Sequence, residues 1–259
     1  MIFKKDSIFF NFKMESFIFM NSHRTYKSTF VWLTVFGIAM GILEAIVVVY
    51  IRQIYYPSGF GFPIKFYDVR FFKVETIREI STVVMLISIG VLAGKNAFQK
   101  FCYFLFSFAI WDIFYYAGLK LILNWPPSLL TWDVLFLIPV TWAGPVLAPV
   151  ISSIVFIIFS VLIIKRMENE SISKLGLINW MSFISGTLIV FVIYIWDYAK
   201  IIIGGGYISD LGSLASNTKF ISEITGYIPD YFNWYVFALG EILMLLPVVV
   251  VIRKKKLIL

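Results

Sequence analysis

Long apolar runs separated by short polar segments dominate the chain. A bilayer core of ~30 Å is crossed by a helix of ~20 apolar residues. Six stretches reach that length, at about 29–51, 74–94, 100–123, 133–164, 178–203 and 233–252. The pattern predicts an all-α fold, a polytopic transmembrane helix bundle of about six helices, with residues 29–252 as a single transmembrane domain. The longest connections, 52–73 and 204–232, are rich in Gly, Ser, Pro and aromatics, and neither is long enough for a soluble domain.

The fourth stretch is too long for one plain helix and too short for two. Its first half, DVLFLIPVTWAGPVLAPV, carries Pro139, Pro145 and Pro149. Proline removes a backbone donor and clashes with the preceding turn, so the fourth helix is expected to be proline-broken, either as a kink or with a re-entrant first half. Irregular backbone at membrane depth survives only where protein or a water-filled cavity covers the freed polar groups.

Residues 1–28 form a basic segment in which Lys13 and Glu15 interrupt the apolar pieces, so there is no continuous signal-peptide core. Two readings fit: a cytoplasmic tail lying partly helical on the membrane, or a translation start further on, at Met14 or Met20. Residues 253–259 read as a basic cytoplasmic C-terminus.

Lysines and arginines set the expected orientation. With the N-terminus inside, the inner segments (the tail, 95–100, 165–174 and the C-terminus) hold 14 of them and the outer segments 7, with Arg78 inside a helix. That bias favours an N-in, C-in topology.

Composition agrees with the pattern. Hydrophobic residues make up 60% and charged residues 14% of 259, with a mean hydropathy of +0.89. A soluble domain could not hide so much apolar side chain. The net charge of +7 reads as cytoplasmic anchoring, and no nucleic-acid partner is expected. The single cysteine, Cys102, allows no internal disulfide. The single histidine, His23, lies outside every apolar run, so no bis-histidine haem site fits inside the membrane. P-loop, Gly-x-Ser-x-Gly, HExxH and CxxC motifs are lacking, and no cofactor and no metal site are expected.

Charges inside a bilayer are costly and mark functional sites by default. Under the expected topology Glu44, Glu75, Arg78, Glu79, Asp112, Asp133, Asp197 and Glu241 all fall near the middle or in the outer half. Inner halves such as VVMLISIGVLAG and SSIVFIIFSVLII carry no charge. Glu75, Arg78 and Glu79 share one helical face that Thr82 extends. The alternative is a snorkelled helix start. Asp112, Tyr116 and Lys120 recur at i, i+4 and i+8. Asp197 pairs with Lys200 at i, i+3, and both lysines are expected to snorkel. Glu44 follows Gly37 and Gly41, a small-residue face that lets another helix approach. Glu241 beside Gly240 repeats that arrangement more weakly. The candidate ligand-binding set is therefore Glu44, Glu75, Arg78, Glu79, Asp112, Tyr116, Asp197 and Glu241. Three Trp-Asp pairs, at 111–112, 132–133 and 196–197, are too short a likeness for an internal repeat. The loop YYPSGFGFP at 55–63 is either an interfacial aromatic loop or a cap on the outer cavity. Gly204–Gly206 offers a flexible helix exit.

The strings LEAIVVVYIRQIYYPSGFGFP, FAIWDIFYYAGLKLILNWPPSLLTWDVLFLIP and TWAGPVLAP resemble a group of bacterial polytopic inner-membrane proteins described only as hypothetical. The likeness covers roughly residues 30–165. It implies a multi-pass bacterial inner-membrane protein and carries no activity.

Carboxylate, tyrosine, tryptophan and arginine suit protons, hard cations, amines, polyols and lipid headgroups. Three functions follow. The first is binding or transport of a small polar or cationic ligand or ion through a carboxylate-lined cavity in the outer half of the membrane. The second is a structural or assembly subunit, whose partner is another membrane protein or a second copy. The third is an intramembrane enzyme acting on a lipid or isoprenoid headgroup, with paired carboxylates as acid and base or as Mg²⁺ ligands.

Overall fold

The computed structural model describes residues 25–65, 69–170, 175–209, 214 and 217–253. Most of the expected tail and the C-terminal basic run lie outside the described residues. Six helices are long and apolar enough to cross a membrane, and the chain is a multi-pass membrane protein. They are α1 (Tyr26–Tyr55), α2 (Val69–Ala93), α3 (Ala97–Leu123), α4 (Leu147–Glu170), α5 (Leu177–Gly204) and α7 (Trp234–Arg253). A short helix, α6 (Thr218–Gly226), lies in the connection before α7.

Local chemistry sets several helix ends. The Asn96 side chain accepts from Gln99 N–H at 3.0 Å and caps α3, which ends at Asn124 in the left-handed region at φ 52. Asn217 caps α6 by accepting from both Lys219 and Phe220 N–H at 3.1 Å.

The fourth apolar stretch differs from its expected form. Residues 132–145 are not the first half of a broken helix. They form a β-hairpin, β1 (Trp132–Phe136) antiparallel to β2 (Trp142–Pro145), and α4 begins only after it. Pro139 lies in the connection between the strands, Pro145 closes β2, and Pro149 sits in the first turn of α4, where its missing N–H costs nothing. The hairpin satisfies the backbone groups that the prolines deny to a helix. It is wedged among the helices. Phe136 stacks near Phe108 of α3 at 6.3 Å, and Trp142 packs on Phe191 of α5 at 5.0 Å.

Helix pairing is closest where side chains are smallest. A Cβ on Gly41 would lie 2.5 Å from the Trp111 carbonyl, and one on Gly37 2.7 Å from Ile110, so α1 and α3 run in parallel at near backbone contact. A Cβ on Gly186 would lie 2.5 Å from the Gly240 carbonyl, which brings α5 against α7 in the opposite sense. The main pairings are α1 with α3 and α5 with α7, and α4 joins the two pairs while α2 packs on α3. Large apolar side chains such as Leu92, Leu121 and Ile178 point outward, 78%, 82% and 82% exposed, as a lipid-facing surface requires.

Candidate functional site

The antiparallel succession of helices puts the C-terminal halves of α1 and α3 and the N-terminal half of α2 at one end of the bundle, together with the hairpin. A cavity of about 180 Å³ opens there. It is lined by Glu44 and Arg52 from α1, Glu75, Arg78, Glu79 and Thr82 from α2, and Asp112, Tyr115 and Tyr116 from α3. Asp133 and Phe136 come from the hairpin, Tyr56 and Phe60 from the loop after α1, and Ile224 and Thr225 from the end of α6.

Six of the eight residues singled out in the sequence therefore converge: Glu44, Glu75, Arg78, Glu79, Asp112 and Tyr116. Glu44 lies on the helix face next to Gly41 and crosses to α2. It pairs with Arg78, and the Thr82 hydroxyl donates to its second oxygen at 3.2 Å. Arg78 also pairs with Glu75 at 2.5 Å, so one guanidinium bridges carboxylates from two helices. A snorkelled helix start would not make these contacts, and the group is a partly buried clamp. Glu79 lies in the field of Arg78 but is held elsewhere. Both its oxygens accept from the Leu137 backbone N–H, at 3.1 and 2.9 Å, which ties α2 to the hairpin. Asp112 accepts from the Ser153 hydroxyl of α4 at 2.8 Å.

Asp197 and Glu241 stand apart from this cavity. Asp197 pairs with Lys200 at 3.1 Å, and the Tyr227 hydroxyl bonds to it. Burial, reinforced by that bond, pushes the Tyr227 phenol above its usual range. Glu241 is buried between α4 and α7. Ser152 donates to it at 2.5 Å, and the Ser152 and Tyr194 hydroxyls lie 3.2 Å apart. Ser152 and Ser153 are neighbours, so one turn of α4 serves both Asp112 and Glu241. Lys120 turns to the end of its own helix, donating to the carbonyls of Asn124 and Pro126 at 3.4 and 3.0 Å.

One buried ion pair on the cavity wall, Arg52 with Asp133, is absent from the sequence-derived set. Arg52 opens the 52–73 connection in the sequence pattern, yet it is 6% exposed and donates to Asp133 at 2.9 Å, with Asp133 only 1% exposed. Its guanidinium also lies over the rings of Trp125 and Phe60, at 3.7 and 4.2 Å from their centroids. Asp133 was read as a helix start. The sequence offers no local signal for this pair, because 81 residues separate its members. The 55–63 loop does help to close the cavity, through Tyr56 and Phe60.

A second cavity, of about 310 Å³, lies at the opposite end beside Tyr26, Lys95, Tyr103 and Glu168. Its Gln99 donates to Glu168 at 3.1 Å. No group of three or more His, Cys, Asp and Glu among the described residues is placed to hold a metal ion. Comparison with protein-family models, with curated proteins and with solved structures found no match.

Proposed function

We propose that this membrane protein binds or transports a small polar or cationic ligand in the cavity at the hairpin end of the bundle. The observation that carries the reading is the convergence of five carboxylates, Glu44, Glu75, Glu79, Asp112 and Asp133, on one aromatic-walled cavity. Carboxylates are expensive inside a membrane unless a site needs them. The lysine and arginine bias supports an outward-facing cavity, and the likeness over residues 30–165 supports a bacterial inner membrane as its setting. The metal-dependent headgroup enzyme draws less support, because Glu44 and Glu75 both engage Arg78.

The test is ligand-induced thermal stabilisation of the purified full chain against a panel of small polar and cationic compounds. Compounds that stabilise the parent protein should fail to stabilise Glu44→Gln and Asp112→Asn variants that insert and elute normally. Undiminished stabilisation in both variants sinks the reading and leaves an assembly role for these residues.

A further inference from the structure

The five cavity carboxylates divide into two groups. Glu44 and Glu75 share the single cation Arg78, and Asp133 pairs with Arg52. Glu79 and Asp112 form no ion pair of this kind; Arg78 acts on Glu79 only through space, so two arginines stand against five carboxylates. Glu79 and Asp112 are both buried, at 6% and 8% exposure, and both line the cavity. Their partners are the Leu137 backbone N–H and the Ser153 hydroxyl, and no ion pair joins either to a Lys or Arg among the described residues. The rings of Trp111 and Tyr115, 6.4 Å apart in a stacked pair, line the same cavity as these carboxylates.

Three donors on residues of the same walls, the Trp111 indole N–H, Nη1 of Arg52 and Nε of Arg78, are also unused among the described residues. Trp111 is 5% exposed. A buried donor without a partner is costly, and at a cavity wall an oxygen of a bound ligand would meet it. Carboxylates in excess of cations, with aromatic rings in the same cavity, suit an organic ammonium, whose charge both attract. The unused donors add an oxygen on the same molecule.

We infer that the cavity takes a small organic ammonium compound bearing an oxygen acceptor, with Glu79 and Asp112 as its counter-charges and the Trp111 N–H on its oxygen. Arg78 with Glu44 and Glu75, and Arg52 with Asp133, are the fixed walls of the site. This rests on the ligand-binding reading above and narrows it. The same chemistry occurs in a free amino alcohol and in the headgroup of an amine-bearing phospholipid.

The experiment uses the full chain in nanodiscs of phosphatidylglycerol, with isothermal titration of choline, ethanolamine, tetramethylammonium and the neutral carbon isostere of choline. Choline or ethanolamine should bind, and the neutral isostere should bind at least ~tenfold more weakly, the loss of one buried charge contact. Glu79→Gln and Asp112→Asn should each cost a similar factor, whereas Asp197→Asn should leave the affinity unchanged. Trp111→Phe keeps the ring, removes the donor and should weaken choline but not tetramethylammonium. This last variant keeps the idea open to refutation if a carboxylate variant fails to fold. Competition by phosphatidylethanolamine added to the discs assigns the occupant to a lipid headgroup; its absence assigns it to a free amine. Equal binding of choline and its neutral isostere overturns the inference. So does binding that survives both carboxylate substitutions. Neutral polyols and inorganic cations are titrated alongside; if they bind in place of the amines, the ammonium assignment fails and the ligand-binding reading stands. If no compound of any class binds, both fail.

Discussion

Arg78 is the residue on which the most cavity charge depends. It is the one cation paired with both Glu44 and Glu75, in a setting that is only partly open to water. Removing one member of a buried charge group leaves the others uncompensated, whereas replacing the whole group with apolar side chains is often tolerated. Arg78→Gln should therefore destabilise the protein by about 3–5 kcal/mol. A triple substitution, Arg78→Met with Glu44→Leu and Glu75→Leu, should recover most of that loss, both read from thermal unfolding in detergent. A triple variant as unstable as the single one would mean that the clamp contributes more than charge balance. Arg52 makes a different use of the same side chain. Its plane lies over Trp125 and Phe60 while one nitrogen reaches Asp133. Lysine keeps the charge and loses the flat stacking surface. Arg52→Lys should cost about 1 kcal/mol in the same assay, less than Arg52→Leu, which strands the buried Asp133.

At the scale of elements, close helix contacts hold the cavity's shape. Between apolar helices in lipid there is no hydrophobic driving force, so stability comes from close packing and polar contacts. Gly41 and Gly186 each sit where an added Cβ would meet a backbone carbonyl at 2.5 Å, while a Cβ on Gly204 would meet nothing within 4 Å. Gly41→Ala and Gly186→Ala should each cost about 1–3 kcal/mol. Gly204→Ala should stay within about 0.5 kcal/mol of the parent. Of the two harmful changes, only Gly41→Ala should also weaken ligand binding, because α1 carries Glu44 and Arg52 into the cavity. The hairpin is the other decisive element. It supplies Asp133 to Arg52 and the Leu137 N–H to Glu79, so it ties α1 and α2 together without being a membrane span.

Over the whole molecule, the buried charges lie in one half of the bundle. Glu44, Arg78 and Asp112 surround the cavity there, and Glu241 is linked to the same turn of α4 through Ser152. If the N-terminus is inside, the cavity end faces outward. The single Cys102 is fully buried and should not react in the folded protein. A Cys102→Ala background therefore allows labelling with an impermeant maleimide in intact cells. Lys65→Cys and Lys219→Cys should label from outside, and Lys95→Cys only after lysis. The opposite pattern would place the cavity on the cytoplasmic side.

The sequence by itself determined the membrane class, the number of long apolar segments and most of the cavity's acids. These follow from local physics. A helix must satisfy its own backbone in lipid over a fixed length, and a charge in an apolar run stands out against its neighbours. Spacing placed Glu75, Arg78 and Glu79 on one face, and the glycines beside Glu44 announced a close neighbour. Tertiary structure decided the partners. Glu44 meets Arg78 across 34 residues and Arg52 meets Asp133 across 81, and no periodicity reaches so far. It also separated Asp197 and Glu241 from the cavity, although their helical settings look alike in sequence. The fourth apolar stretch was ambiguous for the same reason. Prolines forbid a regular helix locally, but only the space between α1, α2, α3 and α5 makes a hairpin the conformation in which those backbone groups find partners.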